Sequence, residues 1–317
     1  MNTRRALLEA LEEGPVSGPD LADELGVSRA AVWKAVESLR DAGFVVESTG
    51  GGYVPPSEPP YTAAGISFGL DAPYRIVFHD SVDSTNVRAR ALANAGDDDV
   101  AVIAEEQHGG RGRLDREWTS PPGGVWFSIL TRPPVPTAHA PTFTLAAAVA
   151  ATDACREAGV DAHIKWPNDV LVGDEGARGG RKLAGIRTEM EGEADRISWL
   201  VVGIGVNANV EAETLPSGAT SLRAERGTDV DRRRFVQRIL ERYHELSASP
   251  DRILGAWRER TSTLGARVKV ETTDGVIRGT AVDVAFPGAL VVRSDDGTRR
   301  RVHAGDCEHL RPTIDEQ

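Results

Sequence analysis

The stretch "PDLADELGVSRAAVWKAVESLRDAG", Pro19–Gly43, predicts two helices joined by a tight turn. Gly26 and Val27 separate the two helical segments, Ser28 can cap the second helix, and Gly43 can end it. Another segment of helical spacing, "TRRALLEALEEG", precedes this pair. Three short helices with the turn in this place are the beginning of a helix-turn-helix unit.

The residues after Gly43 extend this pattern. "FVVES" and "GYVP" flank the glycines at 50–52 as the two strands of a hairpin would. We therefore predict a winged helix-turn-helix DNA-binding domain over residues 1–55. Its third helix presents the candidate DNA contacts, which are Ser28, Arg29, Lys34 and Arg40. A three-helix bundle with no special function is the alternative.

The charge balance limits how such a domain could bind DNA. The chain of 317 residues has a net charge of -11, and residues 1–55 carry five basic against nine acidic side chains. This argues against an indiscriminate nucleic-acid binder, because phosphate contacts need a basic surface. Only four of the 37 basic residues are lysines, so each is a candidate for a role that arginine cannot fill: Lys34, Lys165, Lys182 and Lys269.

The sequence gives no signal for export, membrane insertion or a resident metal. The apolar stretch "FTLAAAVAATDA" is too short to span a bilayer, and the N-terminus is acidic where a signal peptide needs an apolar run. Cys155 and Cys307 are far apart, which indicates neither a disulfide framework nor a CxxC metal site. We expect a cytoplasmic protein that does not insert into membranes.

Three further regions follow the N-terminal unit. "PPSEPPY" indicates a linker, which we place at residues 56–73. Residues 74–262 mix strand and helix patterns that are grouped rather than alternating, which favours an α+β domain with a mixed sheet. Residues 263–317 carry short strands at regular spacing, the pattern of a small SH3-like β-barrel.

One loop of the central region combines backbone freedom with positive charge. In "QHGGRGR", residues 107–113, three glycines would let the backbone approach a ligand, and Arg111 and Arg113 offer forked donors for a carboxylate or phosphate. The loop predicts an anion-binding site. From this stretch alone, a solvated Arg-Gly turn is equally compatible.

Two of the four lysines lie in stretches that could complete such a site. In "IKWPNDVLV", Lys165 and Asp169 flank a Pro-Asn turn between two apolar strands, which would fix a cation and a carboxylate at a strand end. In "GRKLAGI", Lys182 begins a strand of the predicted sheet. An ordinary surface ion pair and a solvated strand edge are the alternatives.

Other fingerprints of cofactor sites are incomplete. Gly203, Gly205 and Ala208 fit G-x-G-x-x-A, but the following "NVEAETLPSG" is not helical, so we reject a Rossmann site. Lys182 is followed by leucine, which excludes a Walker A motif. Cys307 and His309 form a lone pair in the C-terminal region, for which we predict a structural role and no metal.

Taken in order, five motifs resemble the biotin–protein ligases. They are "DSTN" at 83–86, "QHGGRGR" at 107–113, "KWPND" at 165–169, "RKLAGI" at 181–186 and "GIGVN" at 203–207. GRGR, KWPND and KLAGI in this order are highly specific, whereas each motif alone is not. The helix-turn-helix stretch and the predicted barrel resemble the bifunctional members, which also repress biotin operons.

The resemblance covers nearly the whole chain and implies an ATP-dependent ligase. Such an enzyme forms biotinyl-5′-adenylate with the help of Mg²⁺, then transfers biotin to a lysine of a biotin carboxyl carrier protein. AMP and pyrophosphate are released. The resemblance also implies that the adenylate promotes a homodimer across the central sheet, and that the dimer binds operator DNA.

The resemblance also implies roles for individual residues. Two anions meet when the biotin carboxylate attacks the α-phosphate of ATP, so cations must neutralise them, and a carboxylate would orient or deprotonate the acceptor lysine. The predicted catalytic residues are Lys182, Arg113 and Asp169. The predicted biotin contacts are Ser84, Thr85, Asn86, Gln107, Arg111, Gly112, Arg113 and Lys182. The predicted contacts to ATP or the adenylate are Arg111, Arg113, Trp118, Lys165, Asn168, Lys182 and Asn207.

Two other functions are compatible with parts of this pattern. A lipoate–protein ligase has a related core, but polar Ser84, Thr85 and Gln107 favour a ligand with a ureido ring. A ligand-sensing transcription regulator without ligase activity would not need Lys182 and Asp169 together. Asp115, Glu117 and the long "GDEGARGG" turn differ from the family pattern and affect the expected closure of the loop.

Overall fold

The N-terminal unit has the predicted order of elements. The computed structural model describes residues 3–12, 14–54, 60–112, 116–173 and 179–310. Ser28 Oγ accepts a hydrogen bond from the backbone N–H of Ala31, and Gly26 ends the preceding helix in the left-handed conformation. The elements are α1 (Thr3–Glu12), α2 (Gly18–Leu25), α3 (Arg29–Asp41), β1 (Glu47–Thr49) and β2 (Gly52–Val54). The winged helix-turn-helix fold is confirmed.

The segment predicted as a linker is partly helical. Residues 60–73 contain α4 (Ala63–Ser67), whose Ile66 is buried in the central core. Phe68 is also buried and packs against Phe44 of the N-terminal unit, with ring centroids 5.5 Å apart. Two apolar side chains close together give this segment a surface to bury, so it packs instead of extending. Residues 55–59 lie outside the described part of the chain.

The central region is built on a seven-stranded sheet. Its strand order is β3-β4-β5-β9-β8-β7-β6, with β3 and β4 parallel and every other pair antiparallel. The α+β prediction is confirmed. The strands are β3 (Arg75–Val82), β4 (Val100–Gln107), β5 (Val125–Thr131), β6 (Ala162–Lys165), β7 (Asp169–Val172), β8 (Arg181–Glu193) and β9 (Arg196–Val206).

Helices cover both faces of this sheet. The alanine-rich α6 is almost wholly buried between the sheet and α8 and α9, and these helices close the larger core. On the other face α5 covers only the ends of the strands, over a small cluster that contains Ala89, Leu130 and Val201. The remainder of that second face is left for polar side chains. The helices are α5 (Thr85–Asn94), α6 (Ala140–Glu157), α7 (Leu222–Arg226), α8 (Arg232–Ser247) and α9 (Pro250–Arg258).

The C-terminal region is an antiparallel sheet whose strand order is β13-β12-β11-β10-β14. No pairing joins β13 to β14 among the residues through Leu310, so the sheet is open and the predicted closed barrel is not confirmed. Its inner face, with Val268 and Leu290, continues the larger core. The strands are β10 (Arg267–Thr272), β11 (Gly275–Ala285), β12 (Ala289–Arg293), β13 (Arg299–Val302) and β14 (Asp306–His309).

None of the described helices is both long enough and apolar enough to cross a membrane.

Candidate active site

The second face of the central sheet has a floor made by two glycines of β9. Gly203 pairs with Ser128 of β5 and with Arg187 of β8, so all three lie in one row across the sheet. A Cβ on Gly203 would lie 2.1 Å from Asn86 Oδ1, and a Cβ on Gly205 would lie 2.8 Å from Trp118 Nε1. The missing side chains therefore let Asn86 and Trp118 lie directly on the sheet.

A connected set of polar groups lines one end of this floor. The backbone N–H and the hydroxyl of Thr85 donate to Gln107 Oε1 at 2.8 and 3.1 Å, and Gln107 Nε2 donates to Ser120 Oγ at 3.0 Å. Ser128 Oγ lies 2.7 Å from Thr85 Oγ1 and 2.6 Å from Asn86 Oδ1. The structure thus brings together three of the predicted biotin contacts in a buried, oriented network.

Ser84 lies beside this network and is the residue that immediately precedes α5. Its side chain makes no capping hydrogen bond with the helix, although serine at this position usually does. The hydroxyl is therefore available to a ligand.

Glu189 organises a second set of contacts. Its carboxylate accepts hydrogen bonds from Asn86 Nδ2 and Arg187 Nε, both at 3.0 Å, and lies 3.3 Å from Arg90 Nε. Arg187 also donates to the carbonyl oxygen of Gly112, in the predicted ligand loop. Arg187 and Glu189 were not predicted from the sequence. Their signal was the i, i+2 spacing of polar residues in β8, directly after the KLAGI motif.

The glycine- and arginine-rich loop continues β4 as an irregular hairpin. Gln107 pairs with Ser120 and Arg111 with Glu117, and the N–H of Trp118 donates to the carbonyl of Gly110 at 3.0 Å. The exposed Arg111 makes no ion pair with the described residues, so its guanidinium can take an external anion. Arg113, predicted to be catalytic, lies outside the described residues together with Asp115.

Lys182 lies between a carboxylate and an aromatic ring. Its Nζ is 2.7 Å from Asp169 Oδ1 and 5.0 Å from the centre of the Trp118 ring. About a fifth of each charged side chain is exposed, so the pair is sheltered but reachable. The indole N–H of Trp118 is buried and has no hydrogen-bond partner among the described residues. A ligand that brings an acceptor to this N–H would remove the cost of leaving it unpaired.

The KWPND turn differs from the prediction in one respect. Lys165 and Asp169 are register partners at the end of the β6–β7 hairpin, as predicted. Lys165 is only 6% exposed, however, and Asp169 forms its ion pair with Lys182 on the neighbouring strand. Antiparallel pairing of β7 with β8 brings Lys182 close to the end of β7, and sequence spacing alone did not reveal this.

The two predicted asparagines are buried and hold loops around the site. Asn168 Nδ2 donates to the carbonyl of Ile186 at 2.8 Å. Asn207 Nδ2 donates to the carbonyl of Thr220 at 2.9 Å. Both amide groups therefore bind backbone carbonyls in segments close to Lys182.

The C-terminal sheet touches the site at two places. Trp166 donates from its backbone N–H to Thr263 Oγ1 and from its ring to the carbonyl of Gly288, both at 2.9 Å. Arg116 of the loop pairs with Asp306 at 2.6 Å. Thr263 also contacts His309 Nε2 at 3.1 Å, and burial, with the nearby Lys165 charge, lowers the pKa of His309 to about 4.

Cys307 is buried beside these contacts, and burial raises its pKa to about 12. Within the described ranges there is no group of three or more His, Cys, Asp or Glu side chains that could hold a metal ion. Cys307 packs in the core and His309 bonds to Thr263.

In the N-terminal unit the predicted DNA contacts divide into two groups. Ser28 caps α3, and Arg29 and Lys34 are exposed and make no ion pair in the part of the chain that the structure describes. Arg40 is instead turned toward the wing. Its donors bond to the carbonyl of Val46 at 2.8 and 3.0 Å and to Glu37 at 2.6 Å, so this guanidinium fixes the wing to α3.

Comparison with known proteins agrees with this division of the chain. Residues 79–207 match the biotin/lipoate A/B protein ligase family, residues 3–54 match an HTH domain, and residues 263–310 match the biotin protein ligase C-terminal domain. The bifunctional ligase/repressor BirA of Bacillus subtilis is 34% identical over 327 residues, which cover 96% of this chain and 98% of that relative. The chain belongs to the biotin protein ligase family, with the bifunctional ligase/repressors.

Other members of the biotin protein ligase family match smaller parts of the chain. The biotin–acetyl-CoA-carboxylase ligase of Paracoccus denitrificans is 34% identical, over 68% of this chain and 92% of that relative. The biotin protein ligase of Aquifex aeolicus in complex with biotin and ATP superposes with a TM-score of 0.63 at 26% identity, and covers 74% of this chain and 99% of that structure.

Proposed function

We propose that this chain is an ATP-dependent biotin–protein ligase and a transcriptional repressor. It joins biotin to AMP as biotinyl-5′-adenylate, with release of pyrophosphate, and transfers biotin to a lysine of a biotin carboxyl carrier protein. The observation that carries the proposal is the meeting of three features on one sheet face. These features are the Thr85–Gln107 network, the Trp118 ring and the Lys182–Asp169 pair.

The polar network suits the ureido end of biotin. A ureido ring donates through two N–H groups and accepts through one oxygen, and the hydroxyls and amides of Ser84, Thr85, Asn86 and Gln107 offer both kinds of partner. The network is already oriented through Ser120 and Ser128, so binding would require little reordering. A lipoyl ring has no ureido group and would leave these buried groups unsatisfied, which argues against a lipoate ligase.

The adenylation step brings two anions together. Lys182 and Arg111 are the described cations that can neutralise the biotin carboxylate and the α-phosphate, and Arg113 is proposed to join them from the undescribed part of the loop. Mg²⁺ commonly binds through substrate phosphates and water with few protein carboxylates. We propose that Mg²⁺ enters with ATP, because no cluster of three ligand side chains is found in the described ranges.

The adenylate would be held near Lys182 for the second step. Trp118 is proposed to stack on adenine and Lys165 to contact the nucleotide. Asn168 and Asn207 are proposed to hold the backbone beside the nucleotide. The attacking lysine of the carrier must be neutral, and a carboxylate within reach can orient it or take its proton. Asp169 fills this role in the proposal, which its 2.7 Å contact with Lys182 supports.

The N-terminal unit is proposed to give the second activity. We assign residues 1–55 to operator DNA, residues 74–262 to catalysis, and residues 263–317 to a small SH3-like unit that supports the loop through Asp306. A homodimer formed with bound adenylate would present two α3 helices to two half-sites. A regulator without ligase activity would have no use for a sheltered Lys182–Asp169 pair on the ligand face.

The test is ATP–pyrophosphate exchange by the full chain, with biotin or with lipoate. We expect exchange that depends on biotin and Mg²⁺ and is slowed by about 100-fold or more in Lys182→Ala. Exchange with lipoate alone would favour the rival ligase, and no exchange with either would favour the regulator. A matched control is Lys269→Ala, because Lys269 lies on the C-terminal sheet between Glu271 and Glu308.

A further inference from the structure

The third helix of the N-terminal unit exposes a large aromatic side chain. Trp33 is 57% exposed, whereas Val32, Val36 and Leu39 of the same helix are buried in the domain core. The indole makes no ring contact or hydrogen bond with the described residues. A tryptophan is seldom left this exposed without a partner, because it presents more apolar surface than any other side chain. Trp33 therefore points to an external partner.

The neighbours of Trp33 indicate the chemistry of that partner. Arg29 lies one turn before Trp33 and Lys34 follows it, and both cations are exposed. Ala30 and Ala31 are also exposed, so no long side chain holds a partner away from this part of the helix. An apolar ring flanked by two cations suits the major groove of DNA. Anionic phosphates line the edges of this groove, and an apolar methyl group can lie on its floor.

Electrostatics alone gives this unit little affinity for DNA. Residues 1–55 carry five basic and nine acidic side chains, and Arg40 is held by Val46, Glu37 and Ser48. Arg29 and Lys34 are left as the free cations of α3, whereas non-specific binding is driven by many phosphate contacts. A contact that is not ionic must therefore supply a larger share of the binding.

We propose that Trp33 enters the major groove and reads a thymine through its 5-methyl group. The methyl group of thymine is the apolar feature of the major groove, and side chains recognise it by burying it. Arg29 and Lys34 would contact the flanking phosphates and set the depth of the helix. This inference rests on the proposed repressor function. It assigns the DNA sequence preference of the repressor to Trp33 and not to a basic residue of α3.

The first test separates ionic from apolar binding. Duplexes selected from a random library by the full chain, with biotin and ATP, are titrated against the wild type and two variants at several salt concentrations. Trp33→Ala should bind about 10- to 100-fold more weakly with an unchanged salt slope, because the lost contact is apolar. Lys34→Ala should reduce the salt slope by about one, because it loses one phosphate contact.

The second test changes only the DNA. Replacing each thymine of the selected duplex by deoxyuridine removes its methyl group, and the wild type should lose about fourfold at the thymine that Trp33 contacts. Trp33→Ala should show no loss at that position. Misfolding of a variant cannot produce this result, because the loss of affinity is measured with the wild-type protein.

The outcomes distinguish the inference from the repressor function. If no duplex is selected by the wild type, both are overturned. If duplexes are selected and Trp33→Ala binds them as the wild type does, or shows the same deoxyuridine losses, only the inference is overturned. Trp33→Ala could instead change the oligomeric state measured by light scattering while the affinity losses on deoxyuridine substitution stay the same. This result would show that the Trp33 ring contacts a second copy of the chain and not thymine.

Discussion

Substituting Gly205 by alanine should weaken the nucleotide end of the site selectively. A Cβ at this position would lie 2.8 Å from Trp118 Nε1, whereas ordinary contacts between such atoms are about 3.5 Å or longer. The ring must therefore move away by roughly 0.7 Å. Its movement is restricted, because the N–H of Trp118 bonds to Gly110 and the ring meets Trp126 edge to face at 6.4 Å.

The size of the expected effect of Gly205→Ala follows from the free-energy cost of adding a methyl group to a packed site. Such insertions cost about 1–3 kcal/mol, which corresponds to a roughly 5- to 150-fold change in an equilibrium constant. Because the strain lies under the ring proposed to stack on adenine, Gly205→Ala should raise KM for ATP by a factor in this range. KM for biotin should change much less, since the three atoms nearest to the new methyl group all belong to the Trp118 ring.

Two matched variants test this reasoning. Gly203→Ala, two residues away on the same face, would place its Cβ 2.1 Å from Asn86 Oδ1 and should raise KM for biotin instead. Gly255→Ala in α9 meets nothing within 4 Å and should leave both constants unchanged. Steady-state kinetics of adenylate formation gives both values for each variant. If Gly205→Ala and Gly203→Ala raise the two constants equally, the separation of a nucleotide end from a biotin end is refuted.

Three further predictions concern catalysis, pH and stability. Lys182→Ala should slow adenylate formation by about 100-fold or more, whereas Asp169→Ala should impair transfer more than adenylation; equal damage to both steps in both variants, measured by rapid quench, contradicts these roles. In the folded state His309 stays neutral down to about pH 4, whereas a histidine of the unfolded chain is protonated below about pH 6.5. Between these two pH values the unfolded state therefore binds more protons than the folded state. Stability should therefore fall as the pH drops from 6.5 to 4, and urea unfolding of His309→Gln should show a smaller fall; an identical fall contradicts this assignment. Arg40→Ala should destabilise the N-terminal unit by roughly 1 kcal/mol in thermal unfolding, and Lys34→Ala should not; equal stability of the two variants would show that Arg40 does not fix the wing.

Local sequence rules predicted the elements well. Ser28 and Gly26 have the backbone and side-chain roles that caps and turns require. The glycine motif of β9 is followed by a short 3₁₀ turn at Ala212–Thr214 and not by the helix that a Rossmann site requires.

Strand registers, and contacts between segments far apart in the chain, could not be predicted in the same way. The ion pair of Asp169 with Lys182 depends on the register of β7 against β8, which includes an irregularity between Val170 and Leu171. The role of Glu189 depends on Asn86 and Arg90, about one hundred residues away in the chain. Single-sequence patterns carry no information about such contacts, since they report only neighbours along the chain.

The orientation of the Arg40 side chain toward the wing also depends on a contact that sequence patterns do not report. A basic residue in a recognition helix was predicted to contact DNA, but the carbonyl of Val46 becomes available only when the wing folds back on α3. Likewise, α4 within the predicted linker is also held by Gln237, which donates to the carbonyls of Ile66 and Phe68 at 2.7 and 2.9 Å.

The most direct test of the central claim is mass spectrometry of a carrier domain after incubation with the full chain, ATP, Mg²⁺ and equal amounts of biotin and lipoate. The ligase account predicts a single biotinyl adduct on one lysine, with one AMP and one pyrophosphate released for each adduct. A lipoyl adduct without a biotinyl adduct, or an unmodified carrier beside an active control ligase, would contradict it.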